Sequence, residues 1–384
     1  MELADCQIFH VAVPTRRDHG WASKMQSPIG YHAIAKIETS DGIVGWGESP
    51  AGETWGGADG RQYGESPETV RHMVEQHLFP AIKDMSPFHI ANIHQRMDKV
   101  VKGHPYAKAI IDMAIYDIAG KATGRPVCDL LGGDFRDSIE VTHSLGIMEL
   151  DRCIDEAKVA VKEGALTIKC KTGLEPDRDI ELVRRIREEV SSSVKIRVDG
   201  NEGYASVSEA VRVTKAQEEY GVFICEQPLM GAEMLSRVAE RISIPVMADE
   251  SAWTCQDIID LYNAKAAECF SCYVTKPGGL YRAKQQGDLA QTLHMHCDIG
   301  GSVELGIGNA ANLHLGASLS NAWLPSVCPV SKPKGRPGPE IAGIYYLDDI
   351  ITESFEFKDG RVFRPKGAGL GITVDEDKIR EYSV

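Results

Sequence analysis

Lys169 and Lys171 stand one residue apart in "TIKCKTG", a run that reads as the end of a β-strand. Side chains at i and i+2 leave a strand on one face, so the two ammonium groups share a surface. On an exposed strand they would form a solvated charged face. The next three strand-like runs change that reading, because each ends in an acid: Asp199 in "RVDGN", Glu226 in "ICEQP" and Asp249 in "MADES". A single such acid could be a helix N-cap or half of a salt bridge. Three carboxylates gathered in one place repel one another and need a cation. All-oxygen ligation from few protein groups suits Mg²⁺, with Mn²⁺ as the alternative ion, and leaves positions open for water or substrate. A lysine beside another cation and near a metal is expected to have a lowered pKa and to act as a base. A carboxylate substrate on the metal would have acidified α-protons, and the metal would stabilise the enolate that forms. The set spells proton abstraction next to a carboxylate.

These side chains meet only if their strands are parallel neighbours. From about residue 138, short apolar runs alternate with charged amphipathic helical patterns. They include "DSIEVTHSLG", "LTIKCKTG", "VKIRVDGN", "GVFICEQP", "IPVMADES", "CFSCYVTKPGG" and "HMHCDIGGSVE". Strand ends recur every 23 to 28 residues or so, which fits a strand, a helix and two short loops. Such alternation implies an α/β fold with a parallel sheet. No glycine-rich phosphate fingerprint follows the first strand, and the repeat continues to about eight units, so a barrel is expected rather than an open sheet. "WLPSVCP" offers the last strand. In such a barrel the C-terminal strand ends gather at one mouth, where active sites lie.

Residues 1 to about 125 read as a mixed unit. "YHAIAKIETSDGIVGWGESP" predicts two strands joined at Asp41-Gly42. Helices are predicted near Ser66-Pro67-Glu68 and from about Ala107, with Gly124 as the stop. The segment from about 350 to 384 is expected to return to this unit.

The 384-residue chain is 43% hydrophobic and carries a formal charge of -14. That balance disfavours nucleic acid or an anionic membrane surface as the main partner. No apolar run reaches the ~20 residues that span a bilayer. "MELADCQIFH" lacks a basic start followed by an apolar stretch, so no signal peptide is expected. The ten cysteines are scattered and read as reduced thiols of a cytoplasmic protein.

"GIVGWGES", "AKAIIDMAIYDIAGKATGRPVCDLLGG", "KCK", "VDGN", "EQP", "ADES" and "GAGLGITVDEDKI" together resemble the enolase superfamily, in its muconate lactonizing enzyme subgroup with a KxK motif. The resemblance covers nearly the whole chain. It implies an α+β capping domain over residues 1–125, a (β/α)7β TIM-type barrel over 126–349 and a C-terminal segment, 350–384, returning to the cap. It also implies a divalent ion on Asp199, Glu226 and Asp249, Lys171 as the base with Lys169 supporting it, and Asn201 in the metal's outer shell. Loops around "RRDHGWASKM" and "GETWGGADGRQYG" would close over the substrate, placing Trp21 and Trp55 to touch it. Glu304, in "GGSVELGIG", stands where the family often has a mouth-facing acid. A homo-oligomer that takes a small-molecule carboxylate is expected.

One departure from the family bears on mechanism. The subgroup's second catalytic lysine stands five residues before a Gly-Gly pair, and here Gly278-Gly279 puts Tyr273 at that position. Lys276, two residues before the pair, is the alternative. The usual glutamate partner of that lysine is missing from "AWLPSVCP". Racemisation by two bases needs one on each face of the substrate, whereas cycloisomerisation or loss of water runs with one. A phenol is a poor base but a fair proton donor. The expected reaction is an isomerisation of the cycloisomerase or racemase/epimerase type. A dehydratase acting on a hydroxy acid or hydroxyproline-like substrate is the first rival. A non-catalytic ligand-binding barrel is the second, and the intact KxK and three acids oppose it.

Overall fold

A computed structural model describes residues 1–22, 29–57 and 62–384. Residues 23–25 and 58–61 of the two expected lid loops lie outside the described residues. The chain begins with β1 (Leu3–Ala12), β2 (Tyr31–Thr39) and β3 (Val44–Pro50), an antiparallel sheet in that order. The hairpin expected at Asp41-Gly42 is the β2–β3 connection, and Gly42 takes the left-handed conformation at φ 85°. Next come α1 (Pro67–Met73), a π-helical turn (Val74–Leu78), α2 (Phe79–Ile82), α3 (Ile90–Val100) and α4 (Pro105–Thr123). α1 starts at a capping box between Ser66 and Thr69. α4 lies close against β3, which only a strand with glycines permits: a Cβ on Gly47 would sit 1.8 Å from the Ile110 carbonyl oxygen. α4 ends at Gly124, left-handed as expected of a helix stop.

After α5 (Val127–Leu130) the alternation begins: β4 (Ser138–Glu140), β5 (Thr142–Leu145), α6 (Leu150–Lys162), β6 (Thr167–Lys171), α7 (Pro176–Glu189), β7 (Lys195–Asp199), α8 (Val207–Glu218) and β8 (Val222–Glu226). It continues through α9 (Ala232–Ala239), β9 (Val246–Ala248), α10 (Cys255–Asn263), β10 (Cys269–Cys272), α11 (Leu280–Thr292), β11 (His296–Ile299) and α12 (Gly306–Ser318). Strands β5 to β11 form one parallel sheet in chain order. Parallel bridges from Ser326 to Val141 and from Ala322 to Cys297 close it, so "WLPSVCP" is the last stave. It pairs by isolated bridges rather than a ladder, and Pro325 within it has no N–H to donate. The single strand expected over "DSIEVTHSLG" is split into β4 and β5. β4 leaves the barrel to pair with β13 (Arg361–Phe363), beside β12 (Phe357–Lys358). The C-terminal segment therefore touches the barrel first. It then reaches the cap through α13 (Glu376–Glu381), where Lys36 meets Glu376 at 2.8 Å and the Ala12 N–H donates to the Tyr382 carbonyl at 2.8 Å.

Acids of the cap fasten it to the barrel. Asp112 on α4 accepts the Leu280 N–H at the start of α11 at 2.5 Å. The approach is so close that a Cβ on Gly279 would fall 2.3 Å from the Asp112 side chain, which explains the glycine there. Glu48 on β3 accepts the Leu305 N–H at 2.6 Å and the Gly308 N–H at 2.7 Å, at the start of α12. Both carboxylates sit at helix N-termini, where orphan N–H groups and the helix dipole favour negative charge. Among the described residues no helix is long and apolar enough to cross a membrane.

Candidate active site

Strand alternation turns Lys169 and Lys171 to the barrel interior, and Cys170 between them packs outward against the helices. The parallel register sets Lys171 beside Asp199 and Asp199 beside Glu226. Asp249 follows the end of β9 directly. Oxygens of Asp199, Glu226 and Asp249 lie within 4.8 Å of one another, and all three residues are buried. Lys169 bridges two of them, at 2.8 Å from Asp199 and 2.7 Å from Glu226. Lys171 donates to Asp199 at 2.6 Å and to the Asn201 side-chain oxygen at 2.8 Å. Asn201 also gives its backbone N–H to Asp199 at 2.9 Å and its amide to Glu250 at 2.8 Å.

Burial disfavours charge on all of these groups, and their neighbours decide the outcome. Burial and the charge of Asp199 push Glu226 up to about 7, against the pull of Lys169 and Arg197. Asp199 is also raised by burial, but Lys169 and Lys171 overcome this and hold it below the usual carboxylate range. For Lys169, burial opposes the charge and Asp199 and Glu226 outweigh it. Those two acids raise its pKa. The two acids, each within hydrogen-bonding distance of Lys169, set the sign. The residues suit a divalent cation. Three acidic oxygen donors converge, and Oε2 of Glu226 is buried with no hydrogen bond among the described residues, only the Arg197 guanidinium facing it at 3.5 Å.

Beside the acids is a cavity of about 640 Å³, counting the part open to solvent. Lys169, Lys171, Asn201, Asp249 and Tyr273 reach it from the barrel. Trp21, Trp55 and Tyr106 line it from the capping domain, so both expected lid tryptophans reach the cavity. Glu226 does not line it, and neither does Glu304. Glu304 is buried behind Gly301, where a Cβ would come within 2.7 Å of its Oε2. Gly301, Ser302 and Val303, just before this acid, line the cavity instead. Trp253 is core, with its indole N–H donated to the Glu250 carbonyl at 3.0 Å.

Tyr273 and Lys276 occupy different layers. Tyr273 lines the cavity and donates its hydroxyl to Asp249 at 3.2 Å. Lys276 is wholly buried outside the lining, and donates to the Asp249 carboxylate at 2.7 Å and to the carbonyls of Asp249 and Ser271 at 2.9 Å each. β6 and β10 are four staves apart in the sheet order, so Tyr273 faces Lys171 from across the barrel.

Two family models match the chain: the mandelate racemase/muconate lactonizing enzyme N-terminal domain over residues 6–132, and the enolase C-terminal domain-like model over residues 152–378. The chain belongs to the mandelate racemase/muconate lactonizing enzyme family of the enolase superfamily. It is 30% identical to muconate cycloisomerase 1 of Rhodococcus opacus, over 97% of this chain and 95% of that one. It is 28% identical to N-succinyl-L-Arg/Lys racemase of Bacillus cereus, over 100% of this chain and 98% of the other. Among solved structures, the dipeptide epimerase of Enterococcus faecalis in complex with Mg and L-Leu-L-Tyr superposes with a TM-score of 0.86 at 27% identity. That match covers 97% of this chain and all of the epimerase. These family members are isomerases, and their shared fold is a barrel with an N-terminal capping domain.

Within this family member, several site residues had escaped sequence reasoning. Arg197 is fully buried, 2.7 Å from Asp298 and 3.5 Å from Glu226. Its spacing of two from Asp199 would have pointed it inward. His19, Ser144 and Tyr345 line the cavity near Lys171; His19 and Tyr345 come from loops and Ser144 from β5, in register with Lys169. Val327 also lines it, from the last stave, so an apolar side chain stands where that strand meets the cavity.

Proposed function

We propose that this chain is a Mg²⁺-dependent isomerase. It moves the α-proton of a small carboxylate with Lys171 and completes a cycloisomerisation type of reaction rather than a two-base racemisation. One observation carries the choice. The cavity presents lysine amines on one side only, from β6, while Tyr273 faces them and Lys276 spends its donors on Asp249 and Ser271. Burial, then Asp249, hold the Tyr273 phenol well above its ordinary pKa, so it stays protonated. It can donate a proton or a hydrogen bond and is a poor acceptor of a carbon-bound proton.

Asp199, Glu226 and Asp249 would hold the cation. When bound, it would supply the positive charge that acidifies the substrate's α-proton and stabilises the enolate. Lys171 Nζ moves the proton to and from the α-carbon. Lys169 stays charged between Asp199 and Glu226 and adds positive field beside the substrate carboxylate. Asn201 holds Lys171 and Asp199 in register. Trp21, Trp55 and Tyr106 exclude water. The relatives above are a cycloisomerase, a racemase and an epimerase, which favours isomerisation over elimination of water. The ten cysteines are free thiols, eight of them buried, which supports a reducing, cytoplasmic setting.

The test is incubation of the Mg²⁺-loaded enzyme in D₂O with a panel of carboxylates: muconates and their lactones, N-acyl amino acids, dipeptides and acid sugars. The account expects one class to take up deuterium at the α-carbon and to give an isomer of unchanged composition. A product lighter by one water would establish the dehydratase instead. A panel that binds without exchange would return the chain to a ligand-binding role.

A further inference from the structure

His19 sits on the segment between β1 and β2 and is buried against the cavity wall. Its Nδ1 lies 2.8 Å from Nη1 of Arg17. A guanidinium has only N–H donors and stays charged in proteins, so Nδ1 must be the acceptor. A neutral imidazole then carries its proton on Nε2. A doubly protonated ring would set N–H against N–H beside a fixed positive charge. Arg17 cannot turn away easily. It donates to Glu156 from Nε at 2.9 Å and from Nη2 at 2.8 Å, and from Nη2 to the Ser144 carbonyl at 3.1 Å. Arg16 and His143 hold Glu156 in turn, at 2.6 Å and 3.1 Å.

Packing fixes the ring as well. Tyr345 meets it edge-on with centroids 5.0 Å apart. Ile147 donates its N–H to the Gly20 carbonyl at 2.9 Å. A Cβ on Gly146 would come within 3.1 Å of Arg17 Nη1 and 3.2 Å of His19 Nδ1, so the glycine leaves room for the pair. Among the described residues the Nε2–H is left with Ser144 Oγ at 3.5 Å, the outer edge of hydrogen-bonding distance. A buried donor held so firmly and used so little needs an acceptor.

We propose that His19, locked as the Nε2–H tautomer by Arg17, is a binding subsite for a second oxygen acceptor of the substrate, with a carboxylate favoured. This rests on the reading of the cavity as the substrate site. Positive charge from Lys171, and from Arg16 and Arg17 in excess of Glu156, favours an anion here. Asp249 is the only acid among the described residues that line the cavity, so a cationic substrate tail finds no partner. Burial, then Arg17 and Lys171, hold the imidazole well below its usual pKa, consistent with a neutral ring. Arg17 is a positioning residue and acts through His19.

Two readouts test this, and neither needs turnover. In protein labelled with [15N]histidine, the His19 signals, identified by their loss in His19→Gln, should show a bare Nδ1 and a protonated Nε2 from pH 6 to 8. Arg17→Met should give mixed tautomers. A protonated Nδ1 in the wild type overturns the proposal. The second readout is calorimetry on the Mg²⁺-loaded protein with chain-matched probes from succinate to pimelate, each against the monocarboxylate and the ω-amino acid of equal length. The best-fitting diacid should bind about tenfold tighter than its monoacid, with the ω-amino acid weakest. His19→Phe should erase that preference and keep monoacid binding. Equal binding of diacid and monoacid by the wild type, or an unchanged preference in His19→Phe, contradicts the subsite. Failure of deuterium exchange with every carboxylate would instead strike at the catalytic reading and leave these results intact.

Discussion

The Lys276 ammonium lies 4.1 Å from the centroid of the Tyr273 ring and both side chains bind Asp249, but only Tyr273 lines the cavity. The tyrosine, and not the lysine, is the group placed to meet a substrate. It follows that proton exchange is stereospecific: one enantiomer at the α-carbon exchanges with solvent and its mirror image does not. Tyr273→Phe should slow turnover by about 10²-fold at most, the loss of a general acid. Chiral analysis of recovered substrate checks this. Equal exchange of both enantiomers would mean that a second base reaches the substrate.

Lys276 also neutralises Asp249 where both side chains are buried. Breaking a buried ion pair by removing one partner typically costs about 3–5 kcal/mol. Lys276→Met should therefore lower the melting temperature of the metal-free protein markedly, and Mg²⁺ should restore part of the loss by supplying positive charge to Asp249. A variant as stable as wild type in chelator would contradict this account of the pair.

The three acids make stability depend on cation concentration. A ligand at 100 times its Kd adds about 2.7 kcal/mol to the folded state. Thermal melts of the wild type should shift upward with Mg²⁺, and Glu226→Gln and Asp249→Asn should each lose most of that shift. A full shift in either variant would place the ion elsewhere.

Two acids near the cap–barrel junction predict a pH dependence. Burial, followed by the charge of Glu48, pushes Asp349 up to about 7. Glu304 is pushed up to about 7 mainly by burial. An acid whose folded pKa is raised binds its proton more tightly in the native state, so stability falls as pH rises from the unfolded value, near 4, through the folded one. At about 1.4 kcal/mol per unit, the decline is up to about 4 kcal/mol for Asp349 and about 3 kcal/mol for Glu304. Glu304→Gln should flatten the decline between pH 4.5 and 7 in denaturant titrations. An equally steep decline in the variant would show that Glu304 does not titrate there.

The barrel and its acids were legible because parallel strands impose a period of two and bring their C-terminal ends to one mouth. "KCK", "VDGN", "EQP" and "ADES" satisfy both conditions, so Lys169, Lys171, Asp199, Glu226 and Asp249 converge as spacing alone requires. The Gly278-Gly279 pair was legible as a marker, but its cause was not. Asp112, far away in sequence, occupies the space a side chain would need. Residues brought in by loops were hidden for the same reason. His19 meets Ser144 and Tyr345 only through tertiary contacts between distant segments. Glu304 shows the limit of carrying a position across a family, since a turn at Gly301 to Val303 decides whether that acid reaches the mouth.

Lys171 is proposed to move the α-proton of a carboxylate in a site completed by a divalent cation. Deuterium uptake at the α-carbon in D₂O, followed by NMR on the wild type with Mg²⁺, the wild type in chelator and Lys171→Ala with Mg²⁺, tests it most directly. The account predicts rapid uptake in the first case, none in chelator, and a rate about 10²–10⁴-fold lower or worse without the lysine. Uptake by Lys171→Ala at near the wild-type rate, in protein that still binds Mg²⁺, would contradict it.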